Sequence, residues 1–97
     1  MTYRLRVRAI AVREFSAVAI WYERRSKGLG LRFLDELQNC FQYIARNPHG
    51  FQLREGAFRH ALLEGFPYRV VYKIKEGDVF VYQVRHTSRK PSKRFGP

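Results

Sequence analysis

The stretch Gly65–Arg89, GFPYRVVYKIKEGDVFVYQVRHTSR, decides how this chain folds. Two runs rich in β-branched and aromatic residues, Tyr68 to Lys75 and Val79 to His86, flank a short Glu-Gly-Asp turn, which predicts a β-hairpin. Side chains alternate across a strand, so Tyr68, Val70, Tyr72 and Ile74 share one face while Arg69, Val71, Lys73 and Lys75 share the other. The first face suits a core. The second is cationic and runs on through Arg85 and His86 into a basic tail holding Arg89, Lys90, Lys93 and Arg94.

The rest of the chain supplies what that hairpin must pack against. Tyr3, Leu5 and Val7 alternate with Arg4, Arg6 and Arg8, the period of a half-buried strand with a basic outer side. From Ala9 the period lengthens: Val12, Phe15, Val18, Ala19 and Tyr22 recur every three to four residues, predicting an amphipathic helix to about Arg25. Ser26 to Gly30, SKGLG, breaks it, because glycine permits the left-handed turn that ends a helix. A second helix carries Phe33, Leu34, Leu37, Cys40, Phe41 and Ile44 on one stripe and stops near Asn47, since Pro48 disfavours helix in the residue before it. Pro48 to Ala57 has no clear period and reads as a loop. Arg59 to Glu64 is a short strand, with Gly65-Phe66-Pro67 turning into the hairpin, and the tail 88–97 is irregular. The predicted fold class is α+β: an N-terminal strand, a helical hairpin, then a three-stranded antiparallel meander, with both helices on one face of the sheet.

The 97 residues are expected to form one domain over 1–97, and 45% hydrophobic with 15% aromatic content is enough to support burial. A net charge of +11 points to a polyanionic or acidic partner, either nucleic acid or protein. No apolar run approaches the ~20 residues that span a bilayer, and the start MTYRLRVRA alternates instead of forming a signal segment. Cys40 is the single cysteine, so no intramolecular disulfide framework exists, and a cytoplasmic location without membrane contact is expected. Cys40 lies on the apolar stripe of the second helix, where core packing explains it. His49, His60, His86 and Cys40 lack regular metal-ligand spacing, so neither a metal site nor a cofactor is expected.

WYERRSKGLGLRFLDELQNCFQYIARNP, then FRHALLEGFPYRVVYKI, then DVFVYQVRHTSRKP together resemble toxins of the RelE/ParE superfamily, found in type II toxin–antitoxin modules and often labelled plasmid stabilisation proteins. The most specific parts are Trp21-Tyr22-Glu23 with Gly28-Leu29-Gly30, Phe66-Pro67-Tyr68-Arg69, and His86 with Arg89 and Pro91. The resemblance covers nearly the whole chain and implies a basic toxin neutralised by an acidic cognate antitoxin. Members of the superfamily are either ribosome-dependent messenger RNA endonucleases, on the RelE side, or inhibitors of DNA gyrase, on the ParE side.

Cleavage of RNA by its own 2′-hydroxyl needs a base, positive charge beside the scissile phosphate and an acid for the leaving oxygen. Against the RelE pattern, Arg69 matches a third-strand arginine, and Arg85, His86 and Arg89 stand where basic residues end the fourth strand. His86 is the best general acid or base, its ordinary pKa lying near neutrality. The pattern's two second-strand lysines are replaced by Arg59, His60 and Leu62, and its tail tyrosine by Phe95, which cannot donate a proton. Arg69 has an alternative role as a surface partner of Glu64 or Glu76. The resemblance therefore leans to the ParE side, with DNA gyrase or a related target contacted through Arg59, Arg69, Lys73, Arg85, His86, Arg89 and Lys90. The alternatives are an endoribonuclease acting on ribosome-bound messenger RNA through Arg69, His86 and Arg89, and a non-toxic domain that binds antitoxin or nucleic acid.

Overall fold

The structure is a computed structural model and describes residues 2–88. Its elements are β1 (Arg4–Val7), α1 (Ala9–Arg25), α2 (Leu29–Arg46), a 3-10 turn (Pro48–Gly50), β2 (Leu53–Glu55), β3 (Phe58–Leu62), β4 (Tyr68–Lys75) and β5 (Asp78–His86). They make one five-stranded sheet in the order β1-β5-β4-β3-β2. Strands β2 to β5 form an antiparallel meander, and β1 joins β5 in parallel. The expected strand, helical hairpin and meander are all present, with the helices on one face.

Two expected element boundaries are corrected. The segment read as a loop from Pro48 to Ala57 contains the 3-10 turn and a short strand, so the meander has four strands instead of three. The strand expected over Arg59 to Glu64 runs from Phe58 to Leu62, because Leu63 already turns to donate its amide to Tyr68 O at the mouth of β4.

The helical hairpin is held by a carboxylate that reaches across its turn. The first amides of a helix have no partner within it. Glu23, near the end of α1, accepts from Gly28 N at 2.8 Å and from Gly30 N at 3.0 Å, which caps α2. Gly28 has φ +85, a left-handed conformation that glycine adopts at no steric cost. Gly30 is buried so close to α1 that a methyl group there would overlap the Ala19 carbonyl oxygen. The Trp21-Tyr22-Glu23 and Gly28-Leu29-Gly30 motifs are thus the two halves of one packed turn.

Apolar stripes then close the core. Phe33, Leu37 and Ile44 of α2 and Ala11 and Ala19 of α1 bury against Val70, Tyr72, Val79, Val81 and Val84. Each large side chain fully removed from water contributes about 1.5–3 kcal/mol. Val12, expected on the α1 stripe, is exposed, and the small Ala11 takes the inward place because the helix lies close to the sheet. Tyr22, Phe33, Phe66 and Tyr68 form a ring cluster with centroids 5.1–6.3 Å apart, which fixes where β4 begins beneath the helices. Among the described residues no helix is long and apolar enough to cross a membrane.

Candidate functional site

The register between β4 and β5 sorts the cationic residues onto two faces. Tyr68 stands opposite His86, Arg69 opposite Arg85 and Val70 opposite Val84. After Val71, paired with Gln83, the register slips so that Tyr72 meets Val81, leaving Tyr82 as the extra residue of a β-bulge. Val79, Val81, Val84 and His86 consequently share the helix-covered face with Tyr68, Val70, Tyr72 and Ile74. Arg69, Val71, Lys73, Gln83 and Arg85 share the outer face. The Val84 amide points to the β1 side, beyond the last β1 pairing at Val81, and donates to Glu14 Oε1 of α1 at 3.0 Å.

β3 extends this outer face. His60 pairs with Val71, Leu62 with Arg69 and Phe58 with Lys73, so their side chains lie on the outer side, and Arg59 between them points to the helix side. Arg69 is the centre of the resulting cluster. Its Nη2 donates to Thr87 O at 2.8 Å and its Nη1 to His60 Nδ1 at 3.2 Å, so neither Glu64 nor Glu76 is its hydrogen-bonding partner. Because a guanidinium can only donate, Nδ1 must be the acceptor, which assigns the imidazole proton to Nε2. Burial, with Arg69, Arg54 and Arg85 nearby, lowers the His60 pKa to about 4. His60 is therefore neutral at physiological pH.

Among the described residues, the buried His60 Nε2, Arg69 Nε and Gln83 Oε1 of this cluster have no hydrogen-bond partner. Two are donors and one is an acceptor, so the set presents hydrogen-bonding groups of both kinds. It is poorly suited to taking a proton, since the basic nitrogen of His60 is already engaged. Beside it, the Lys73 amino group lies 5.8 Å from the Phe58 ring centroid and 5.7 Å from that of Tyr82, and the two rings meet edge to face at 5.1 Å.

The other expected site residues are dispersed. His86 faces the helix side, its ring edge-on to Tyr68 at 5.1 Å, and its Nδ1 lies 3.1 Å from the donating Ser88 amide and 2.7 Å from Ser88 Oγ. Arg59 is engaged with the chain itself: its Nη1 donates to Phe51 O at 2.6 Å and His49 O at 3.3 Å. Arg85 is on the outer face with Arg69 and is almost fully buried. Arg89 and Lys90 lie outside the described residues. His60, Gln83, Phe58 and Tyr82 were not expected as site residues. Alternation along β3 would have put His60 and Phe58 on one face, but their proximity to Arg69 and Lys73 depends on the β3–β4 register.

Cys40 is buried, with its thiol pushed up to about 12 by desolvation, consistent with a core role. Among the described residues no cluster of three or more His, Cys, Asp or Glu is placed to hold a metal ion.

Comparison with known proteins fits this geometry. No curated protein sequence matches the chain. A solved structure described as "Chromosomal ParDE TA system from P. aeruginosa" is similar in fold, with a TM-score of 0.76 over 90% of this chain and 98% of that one at 13% identity. The family model described as ParE toxin of type II toxin-antitoxin system, parDE, matches residues 5–91. A match over nearly the full length, on a fold that carries the superfamily's helical hairpin and meander, means that this chain belongs to the ParE toxin family of type II toxin–antitoxin systems.

Proposed function

We propose that this chain is a toxin that acts by binding DNA gyrase in the cytoplasm and is kept silent by an acidic cognate antitoxin. The observation that carries this reading is the placement of Arg69 and His86 on opposite faces of the sheet. A nuclease of the RelE kind needs its phosphate-binding cation and its proton donor around one scissile bond. Here the best proton donor is turned toward Tyr68 and Ser88, and the histidine that does stand beside Arg69 is neutral with its acceptor nitrogen occupied. That surface is equipped to bind.

The antitoxin lies across the helical hairpin, where Ile20 and Trp21 are exposed on α1 and Leu31 on α2, with Arg24 and Arg25 at the end of α1. An amphipathic segment buries its apolar side on that strip and turns carboxylates to the arginines. The test is direct. Purified protein should inhibit gyrase supercoiling and leave ribosome-bound messenger RNA intact, and the adjoining reading frame should encode an acidic protein that restores growth. Cleavage of ribosome-bound messenger RNA with unimpaired gyrase would overturn the target, and expression without any growth defect would overturn the toxin reading itself.

A further inference from the structure

The pairing of β4 with β5 ends at Tyr68 and His86, and one side chain carries the tie beyond them. Past that last pair, Thr87 is held from two sides: its amide donates to Pro67 O at 2.9 Å, and its carbonyl accepts from Arg69 Nη2 at 2.8 Å. Nη1 of the same guanidinium donates to His60 Nδ1 at 3.2 Å. Arg69 therefore fastens the residue after β5 to β3, across the width of β4. A charged donor makes such a bond roughly twice as strong as a neutral one. The neighbouring bond from Ser88 N to His86 Nδ1, at 3.1 Å, closes the turn on itself and ties nothing across strands.

Thr87 and Ser88 stand directly before a strongly basic end of the sequence. Residues 89–97 contain Arg89, Lys90, Lys93 and Arg94 and no carboxylate. From Thr87 to Lys93 the chain can reach up to about 20 Å, at roughly 3.3 Å per residue. Over such a reach, a small change of backbone angle at Thr87 redirects all four charges. A side chain that bolts Thr87 to the sheet thus bears on where they point. Arg69 is badly placed to meet a target itself. Both of its terminal nitrogens are turned into the protein, and reaching outward would leave His60 Nδ1 and Thr87 O without this donor.

We infer that Arg69 is a positioning residue: through Thr87 it sets the direction in which residues 89–97 leave the sheet, and their four cations, in place of its own, meet an acidic surface of the target. The inference rests on the gyrase reading above. Screening makes direction matter, because salt largely cancels the attraction between exposed charges more than about 8–10 Å apart. Four cations aimed at a partner act on it, and four cations spread around the chain end do not. His60 has the supporting part, since its Nδ1 acceptor holds the guanidinium in the orientation that reaches Thr87 O.

The test compares the full chain, Arg69→Ala, a chain ending at Ser88, and the two changes together, by the concentration that half-inhibits gyrase supercoiling. Arg69→Ala and the truncation should each raise it about tenfold, and the combination no further than truncation alone. A direct contact by Arg69 would instead multiply the two losses to about a hundredfold. Salt gives a second reading: Arg69→Ala removes one charge, yet should flatten the salt dependence as much as the truncation that removes four. The clamp itself is read on the isolated protein by trypsin. The protease must draw Thr87 and Ser88 into its cleft to cut after Arg89, so Arg69→Ala should speed that cut several-fold and His86→Ala should not. Circular dichroism checks folding, and Arg69→Met, which keeps the apolar stem, replaces Arg69→Ala if that variant is unfolded. Multiplying losses or an unchanged cutting rate overturns the positioning role. Absence of inhibition by the full chain overturns the gyrase reading, and the cutting rate then decides the clamp.

Discussion

Arg69 donates a hydrogen bond to His60 Nδ1 across the β3–β4 pairing, a bond that a protonated imidazole could not accept. Unfolded, His60 takes up its proton near pH 6.5; folded, it does so only at about 4. Between those values the unfolded chain binds more protons, so stability rises with pH across the window. The contribution is fully present above pH 6.5 and lost as pH falls toward 4, amounting to about 3 kcal/mol. Urea unfolding across this window should show the slope, and His60→Phe should flatten it.

Arg69→Ala should reduce growth arrest by removing the centre of the outer cluster. His86→Ala should leave arrest close to wild type, because that ring faces the helix side and serves Ser88 and Tyr68. Colony counts after induction, with soluble yield as the folding control, separate the two. Loss of toxicity in both variants would return the catalytic reading to consideration.

Gly30→Ala should destabilise the hairpin by about 1–3 kcal/mol, because its methyl would meet the Ala19 carbonyl, part of the α1 backbone, and cannot push aside a flexible side chain. Gly28→Ala faces open space and meets only the left-handed backbone cost, about 1 kcal/mol. Thermal unfolding should rank Gly30→Ala as the worse of the two. Glu23→Ala, which uncaps α2, should cost about 1 kcal/mol.

The fully buried Tyr72 hydroxyl donates to Pro48 O at 2.6 Å and ties the 3-10 turn to the sheet. Tyr72→Phe should cost about 1–3 kcal/mol by leaving that carbonyl without its donor. Faster amide exchange in the turn would accompany the loss, and a melting temperature equal to wild type would contradict this account.

The helices and the hairpin were legible in the sequence because each carries an unbroken apolar period. β2 was not: its three residues show no alternation and are held by pairing with β3 across a turn at Gly56, whose φ is +58. Within the site, Arg69 was legible from β4 alone. Strict alternation from Val79 would send Val81, Gln83 and Arg85 to the core and turn His86 outward. The bulge at Tyr82 reverses that order, burying Val84 and exposing the Arg85 side to Arg69. Nothing in the identities of Tyr82 or Gln83 announces it. His60 was hidden for a related reason: its meaning comes from a neighbour on another strand.

The parallel pairing of β1 with β5 sets when the sheet can be completed. Arg4 to Val7 bond to Asp78 to Val81, so the sheet's first strand has no ladder partner until the last strand has been synthesised. Contacts between such distant segments form late, after the loop closure they require. A nascent chain therefore carries its helical hairpin, with the exposed Ile20, Trp21 and Leu31, before its outer cationic face is assembled. Under the antitoxin reading proposed above, the docking strip on the hairpin is synthesised ahead of the outer cationic face.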